Sequence, residues 1–251
     1  MGSISMWIRI NQPFSIPADV RNTLTQLTQA GHEAYLVGGC VRDFLRGEKI
    51  HDYDIATSAK PEEVEKLFEK VIEVGRAFGV MKVILPERQL EVATFRTESD
   101  YHDHRHPHKV SFTDPKGDAE RRDFTVNALY YDLKTNQVLD FFGGLDDLRN
   151  KVLKAIGNPE ARFKEDALRL LRAVRFSARF GFAIEEKTRE AIQKRAPLIR
   201  KVSIERIRDE LEKILMHPSC RNAMFELEAL GLMENVFPEI AVGKLQQRKV
   251  W

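Results

Sequence analysis

The sequence predicts a mixed α/β domain followed by an all-helical segment, on three observations. Residues 34–156 alternate short apolar, β-prone runs with helical stretches. From residue 158 onward only helical periodicity remains. No internal repeat or low-complexity tract interrupts either region. Taken in order, residues 17–30 read as a first helix, with Pro17 near its start and Gly31 as its stop. Residues 34–37 are a buried strand ended by Gly38-Gly39, and residues 52–57 the next strand. Strands are also predicted over 71–73, 80–85, 90–95, 129–132 and 138–141, with helices over 61–68 and 118–127. Residues 97–109 form a long polar insertion without structure of its own. The later segment reads as helices over 165–180, 185–196, 203–217 and 220–230, with no strand.

At 251 residues the chain is long enough for one large domain or two smaller ones. Hydrophobic residues at 43% and charged residues at 31% place it among soluble globular proteins, not disordered ones. A net charge of +2 means that any nucleic-acid contact must come from a local basic patch. The two cysteines, Cys40 and Cys220, have no metal-ligand spacing and fit a reducing compartment. No apolar run reaches the ~18 residues of a membrane span, and MGSISMWIRI is too short and mixed for a secretory signal, so a cytoplasmic location is the expectation.

Chemistry concentrates in AYLVGGCVRDFLRGEKIHDYDIAT, residues 34–57. Gly38-Gly39 after a strand lets the backbone approach a bulky ligand, and helix amides that follow attract phosphate. Asp52 and Asp54, at i and i+2 on a predicted strand, point to one face, with Tyr53 on the other. Two close carboxylates repel unless a cation sits between them. Alone, Gly-Gly is a turn and Asp-x-Asp a solvated strand end; together they suggest nucleotidyl transfer with a divalent cation. Glu91, on a strand expected to neighbour the pair, is the candidate third carboxylate or else an edge charge.

Two further clusters stand out. In RRDFTVNAL, a helix would place Asp123 and Asn127 on one face suited to a ribose diol, with Arg121 and Arg122 one turn earlier positioned to grip a triphosphate. In EDALRLLRAVRFSARFGF, Asp166, Arg169, Arg172, Arg175 and Arg179 fall on one side of a helix, opposite Ala167, Leu170, Leu171, Val174 and Ala178. The basic residues there are all arginine, which suits planar recognition better than a merely solvated face.

The string GGCVRD…HDYDIAT resembles the first motif of class II tRNA nucleotidyltransferases (CCA-adding enzymes) and bacterial poly(A) polymerases. RRDFTVNAL, FFGGLDDL, EDALRLLR and SIERIRDEL are similar to the second to fifth motifs, in the same order. The resemblance, from about Gly31 to Ile240, implies a DNA polymerase beta-like α/β nucleotidyltransferase head over 1–156 and a helical neck with partial body over 157–251. It implies Asp52 and Asp54 as ligands of two Mg2+ ions, with Glu91 catalytic alongside. Gly38, Gly39, Arg42, Arg121, Arg122, Asp123 and Asn127 are then nucleotide-binding. Gly143-Gly144 becomes a spring between head and neck, and Glu205 with Arg206 a brace for the helix over 165–180.

Asp166 and Arg169 are implied as a protein template for ATP and CTP, with Arg172 and Arg175 supporting the phosphates or its geometry. Adenine and cytosine both present an amino donor beside a ring-nitrogen acceptor, which a carboxylate and a guanidinium match. Guanine and uracil present a carbonyl where the carboxylate needs a donor. Residues 97–109 correspond to the family's flexible loop, full length here, with Tyr101, Asp103 and Arg105 as its candidate residues. Its alternating histidines lack the partners of a zinc site.

The implied reaction is attack by a tRNA 3′-hydroxyl on the α-phosphate of CTP or ATP. The alternatives are an adenosine-only tRNA enzyme, a poly(A) polymerase, and a nucleotide- or RNA-binding module without catalysis. The single arginine in Gly75-Arg76-Ala77-Phe78 favours a tRNA enzyme over the polymerase branch. Family members usually continue into further helical domains, whereas this sequence ends at LQQRKVW, so a complete tRNA grip is not expected from these residues alone.

Overall fold

The computed structural model describes residues 7–10, 13–101 and 107–239. The chain divides into two compact units, Met1–Ser99 with Lys109–Asp146, and Asp100–His108 with Asp147–Trp251.

Along the first unit run β1 (Trp7–Arg9), α1 (Ala18–Gln29), β2 (Ala34–Val37), α2 (Gly39–Leu45), β3 (Asp54–Thr57), α3 (Pro61–Leu67), β4 (Val71–Gly75), β5 (Val80–Ile84) and β6 (Gln89–Thr94). Then come β7 (Arg96–Tyr101), β8 (Pro107–Phe112), α4 (Pro115–Glu120), β9 (Leu129–Asp132), β10 (Gln137–Asp140) and α5 (Gly144–Arg149). Eight strands form one sheet in the order β1-β10-β9-β2-β3-β6-β5-β4. Its β3–β6 pair is parallel and the other pairs are antiparallel.

Strand alternation separates the sheet's two faces. Leu36, Ile55, Leu90, Val92, Met81, Val83, Tyr131 and Val138 point to one face and form the core with Val20, Leu24 and Leu27 of α1, Val41 of α2 and Val64 of α3. On α1 these residues are spaced four and three apart, the stripe that packs an amphipathic helix on a sheet. The opposite face carries Tyr130, Val37, Asp54, Glu91 and Lys82 as one row of register partners across β9, β2, β3, β6 and β5.

The second unit contains β11 (Val152–Leu153), α6 (Pro159–Glu165), α7 (Arg169–Phe180), β12 (Ala183–Ile184), α8 (Glu186–Arg195), α9 (Ile204–Leu215), α10 (Cys220–Ala229) and α11 (Met233–Val236). Helix α7 buries Leu170, Leu171, Ala173 and Val174 and ends at Gly181, whose φ of 67° closes the last turn.

Several expectations from the sequence are corrected. The strand expected over 52–57 starts at Asp54, because β2 ends at Val37, its last residue in register with β3, and the chain then turns at Gly38. The helix expected over 118–127 is instead α4 and a 3-10 turn at Thr125–Asn127. The Asp123 carboxylate accepts from the Phe124 amide (2.8 Å), a local bond that competes with helix propagation. The helix expected over 165–180 breaks for the same reason: Asp166 Oδ1 accepts from the Leu168 amide at 3.1 Å. The insertion at 97–109 is not structureless, since β7 and β8 form a two-stranded sheet. The two-residue β12 pairs in parallel with β11, too short for a periodicity signal. Asp103 and Arg105 lie outside the described residues.

The Gly143-Gly144 turn is set by Asp140, which accepts from the amides of Phe142 (3.1 Å), Gly144 (3.0 Å) and Leu145 (2.9 Å). A Cβ on Gly144 would lie 2.3 Å from the Thr125 carbonyl oxygen, whereas Gly143, at φ 78°, has open space around it. Gly144→Ala is expected to cost about 2–3 kcal/mol and Gly143→Ala about 1–2 kcal/mol in a denaturant titration. Equal effects would show that backbone conformation, not the close contact, governs this turn.

Candidate active site

The row on the open sheet face starts the site. Asp54 and Glu91 are direct partners in the parallel β3–β6 ladder, so their side chains stand on one face a strand spacing apart, about 4.8 Å. Both are exposed. Asp52 precedes the strand, yet the alternation persists through it, with Asp52 exposed, Tyr53 buried in the core and Asp54 exposed. The Asp54 carboxyl is raised to about 6 by desolvation, then by repulsion from Glu91 and Asp52, against a lowering pull from Arg122. The Glu91 repulsion follows directly from the register of the two strands.

Beside this row the chain turns at Gly38, with φ 73° and ψ −125°, a conformation that glycine alone adopts without strain. A Cβ there would meet Arg122 Nη1 at 3.3 Å, so the turn and the guanidinium are in close approach. Arg122 Nε donates to the Tyr130 hydroxyl (3.0 Å) and Nη2 to Asp118 Oδ2 (3.0 Å). That leaves Nη1 as the corner facing Gly38. Asp118, 1% exposed, also accepts from Arg121 Nε (2.9 Å) and the Tyr130 hydroxyl (2.7 Å). Burial would raise the Asp118 carboxyl, but Arg122, Arg121 and the Tyr130 hydrogen bond overcome it and hold it at about 2. Burial works against the Arg122 charge too, and Tyr130 and Asp118 outweigh it, keeping the guanidinium protonated.

A second chain of bonds runs through the interior. Arg42, 4% exposed, pairs with Asp43 (2.8 Å) and donates through Nη1 to Asn127 Oδ1 (2.5 Å). Asn127 Nδ2 in turn donates to Asp123 Oδ1 at 3.0 Å. The structure thus brings together Gly38, Gly39, Arg42, Asp54, Glu91, Arg121, Arg122, Asp123 and Asn127 in the first unit. Asp43, Asp118, Tyr130 and Asp140 were not singled out in the sequence. Asp118 had a signal, since it precedes Arg121 and Arg122 by three and four residues.

In the second unit, Asp166 follows α6 and accepts from Arg206 Nη2 of α9 at 2.9 Å, while Glu205 is exposed. Arg169, buried to 8% exposure, donates through Nη1 to the Arg162 carbonyl (3.0 Å) and Glu165 Oε2 (2.9 Å). Arg172 and Arg175 both reach Glu210 of α9, at 3.8 and 3.0 Å, and lie against the Phe176 ring.

Among the described residues no three His, Cys, Asp or Glu side chains form a ready metal cage. The donor set still fits Mg2+, which commonly takes one or two carboxylates and completes its shell with water and substrate phosphate. No helix among the described residues is long and apolar enough to cross a membrane.

The Poly A polymerase head domain model matches residues 34–154, and the model described as the probable RNA and SrmB-binding site of polymerase A matches residues 181–243. The CCA-adding enzyme of Lactobacillus delbrueckii subsp. bulgaricus is 47% identical over 244 residues, 97% of this chain and 60% of that protein. The chain belongs to the CCA-adding enzyme and poly(A) polymerase family. A family structure, the Bacillus stearothermophilus CCA-adding enzyme in complex with CTP, superposes with a TM-score of 0.79 at 40% identity, covering 86% of this chain and 53% of that one. The Thermotoga maritima CCA-adding enzyme complexed with tRNA gives 0.75 at 27% identity, covering 89% and 53%. The head is the family's nucleotidyltransferase fold, and the chain spans about 60% of the length of the curated relative it matches.

Two outcomes follow for this family member. Because the Asp54 carboxyl is raised, it is protonated below about pH 6, and a divalent cation held there would have to displace that proton. Mn2+ affinity measured by paramagnetic relaxation is expected to fall up to about tenfold per pH unit below that point; a flat profile down to pH 5 would contradict the raised carboxyl. Asp118 has the opposite sign: its folded value, about 2, lies below the ordinary 3.8. Its contribution of about 2 kcal/mol is therefore present above pH 3.8 and lost as pH falls through 2. Asp118→Asn removes the buried charge that Arg121 and Arg122 share, leaving Arg121 with Glu98 and Arg122 with Tyr130, and is expected to cost about 3 kcal/mol in urea denaturation.

Proposed function

We propose that the chain carries out the nucleotidyl transfer of a CCA-adding enzyme, joining cytidylate and adenylate from CTP and ATP to the 3′ end of tRNA and releasing pyrophosphate. The observation that carries this reading is the register of Asp54 with Glu91 on the open sheet face, next to the Gly38 turn and Arg122. Its relatives named as CCA-adding enzymes, including those in complex with CTP and with tRNA, support it. The same reading places the work in the cytoplasm.

Asp52 and Asp54, with Glu91 beside them, are the residues to hold Mg2+, which when bound neutralises phosphate charge and activates the 3′-hydroxyl. Everything else is positioning and electrostatics by the chain itself. The Gly38-Gly39 backbone admits the triphosphate without Cβ interference, and Arg122 Nη1 is the donor aimed at its oxygens. Asp118 and Tyr130 hold that guanidinium charged and oriented before substrate arrives. The buried chain Asp43–Arg42–Asn127–Asp123 fixes the wall of the same pocket against displacement.

Base selection falls to the second unit. The Asp166 carboxylate accepts from the exocyclic amino group and Arg169 donates to the adjoining ring nitrogen of cytosine or adenine. Asp166 already accepts from Arg206 and the Leu168 amide, so its plane is set while other lone pairs remain.

Incubating the chain with tRNA lacking its 3′ end, Mg2+ and single nucleotides tests the reading. Addition of C and then A is the expected product; long A tails would instead identify a poly(A) polymerase, and A alone an adenosine-adding enzyme. Asp54→Asn should lower incorporation by on the order of 10²–10³-fold or more. Asp166→Ala should erode discrimination against GTP and UTP by on the order of 10²-fold, with a smaller change in KM. Uniform loss for all four nucleotides would remove Asp166 from base reading.

A further inference from the structure

We propose that a cavity lined by α7, α9 and the start of α10 binds a phosphodiester of the RNA backbone; the partner named here rests on the tRNA reading above. The cavity holds about 240 Å³, and its polar lining is Arg175, Arg179, Lys213, His217 and Ser219. Among the described residues no carboxylate lines it. In a chain with 40 basic and 38 acidic residues, that segregation is informative. Another concavity mixes Glu160 and Glu190 with Lys187 and Lys194, and a third is lined by Asp19 and Glu87 without a cation.

The Glu210 carboxylate, 1% exposed, sits against two of the lining cations. It lies 3.0 Å from Arg175 Nε and 3.7 Å from Lys213 Nζ. One buried carboxylate against three cations leaves the cavity net positive, and it anchors Arg175 as the fixed member. Arg179 and Lys213 are exposed; the Arg179 guanidinium lies 5.6 Å from the Phe180 ring centroid, and the Lys213 side chain is 61% accessible. Ser219 Oγ and His217 Nδ1, 2.6 Å apart, supply a polar edge. No Phe, Tyr or Trp lines the cavity, so a base has no such platform to stack on. Clustered arginine and lysine without aromatic rings recognise phosphate, independent of sequence.

Neither Asp166 nor Arg169 lines this cavity, and neither Arg179 nor Lys213 is assigned to nucleotide selection or transfer. The test compares the wild-type chain with the Arg179→Ala/Lys213→Ala double variant, both checked for unchanged thermal melting. Fluorescein-labelled tRNA lacking its 3′ end is titrated across a potassium chloride series, and CTP binding is measured in parallel by calorimetry. Removing two phosphate contacts is expected to make the slope of log K against log salt shallower by roughly 1.5. CTP affinity should be unchanged, and the Arg179→Lys/Lys213→Arg variant should recover the slope. An unchanged slope, or no measurable tRNA binding by the wild-type chain, overturns the proposal. Loss of CTP binding with tRNA binding intact overturns it too, by showing a site for free triphosphate. Asp54→Asn separates the two readings: it should abolish incorporation while leaving this slope untouched. If incorporation survives Asp54→Asn, the transfer reading fails and the phosphodiester site still stands or falls on its own slope.

Discussion

The buried carboxylate of Asp118 is the interaction on which the head's candidate site depends. A single ion at 1% exposure is costly to bury, and it is tolerated because two guanidiniums and a tyrosine hydroxyl converge on it. The consequence is positional. Arg122 reaches Asp118 from α4's end and Tyr130 from β9, so its remaining corner is directed at Gly38 and its charge is felt by Asp54. A surface arginine would lose rotamer freedom on meeting a phosphate; this one has lost it in folding.

Backbone geometry supplies the second constraint. Pairing of β2 with β3 stops at Val37 and Asp54 because Gly38 enters a conformation barred to side chains. That stop puts Asp54 at the first position of its strand, where it is open to a ligand but still locked in register with Glu91. One residue of slip would send Asp54 into the apolar core and Ile55 to the open face, so the alternating pattern that builds the core also aims the carboxylate.

The two units apply one device in different settings. In each, an aspartate between two helical segments accepts a backbone amide just ahead of it and is then held by a second side chain. Asp123 takes the Phe124 amide and the Asn127 side chain; Asp166 takes the Leu168 amide and Arg206. A carboxylate on a regular helix surface keeps its rotamers, whereas these two are each oriented by a backbone amide and a second side chain together.

The sequence by itself determined the architecture's division into α/β and helical parts, strands β2 and β9 to the residue, the turn at Gly38-Gly39, the strand position of Asp54 and the arginine-rich helix α7. These follow from local pattern: periodicity, glycine placement and residue type. Only the tertiary structure decided what long-range pairing controls. The register of Asp54 with Glu91, the start of β3 at Asp54, and the Tyr130 hydroxyl that joins Arg122 on Asp118 bring together residues from different elements. The breaks at Asp123 and Asp166 escaped a periodicity argument because a side-chain bond to one amide leaves the apolar spacing on either side intact. The β7–β8 strands were hidden similarly: a polar sequence carries no apolar alternation, and cross-strand hydrogen bonds do not require one.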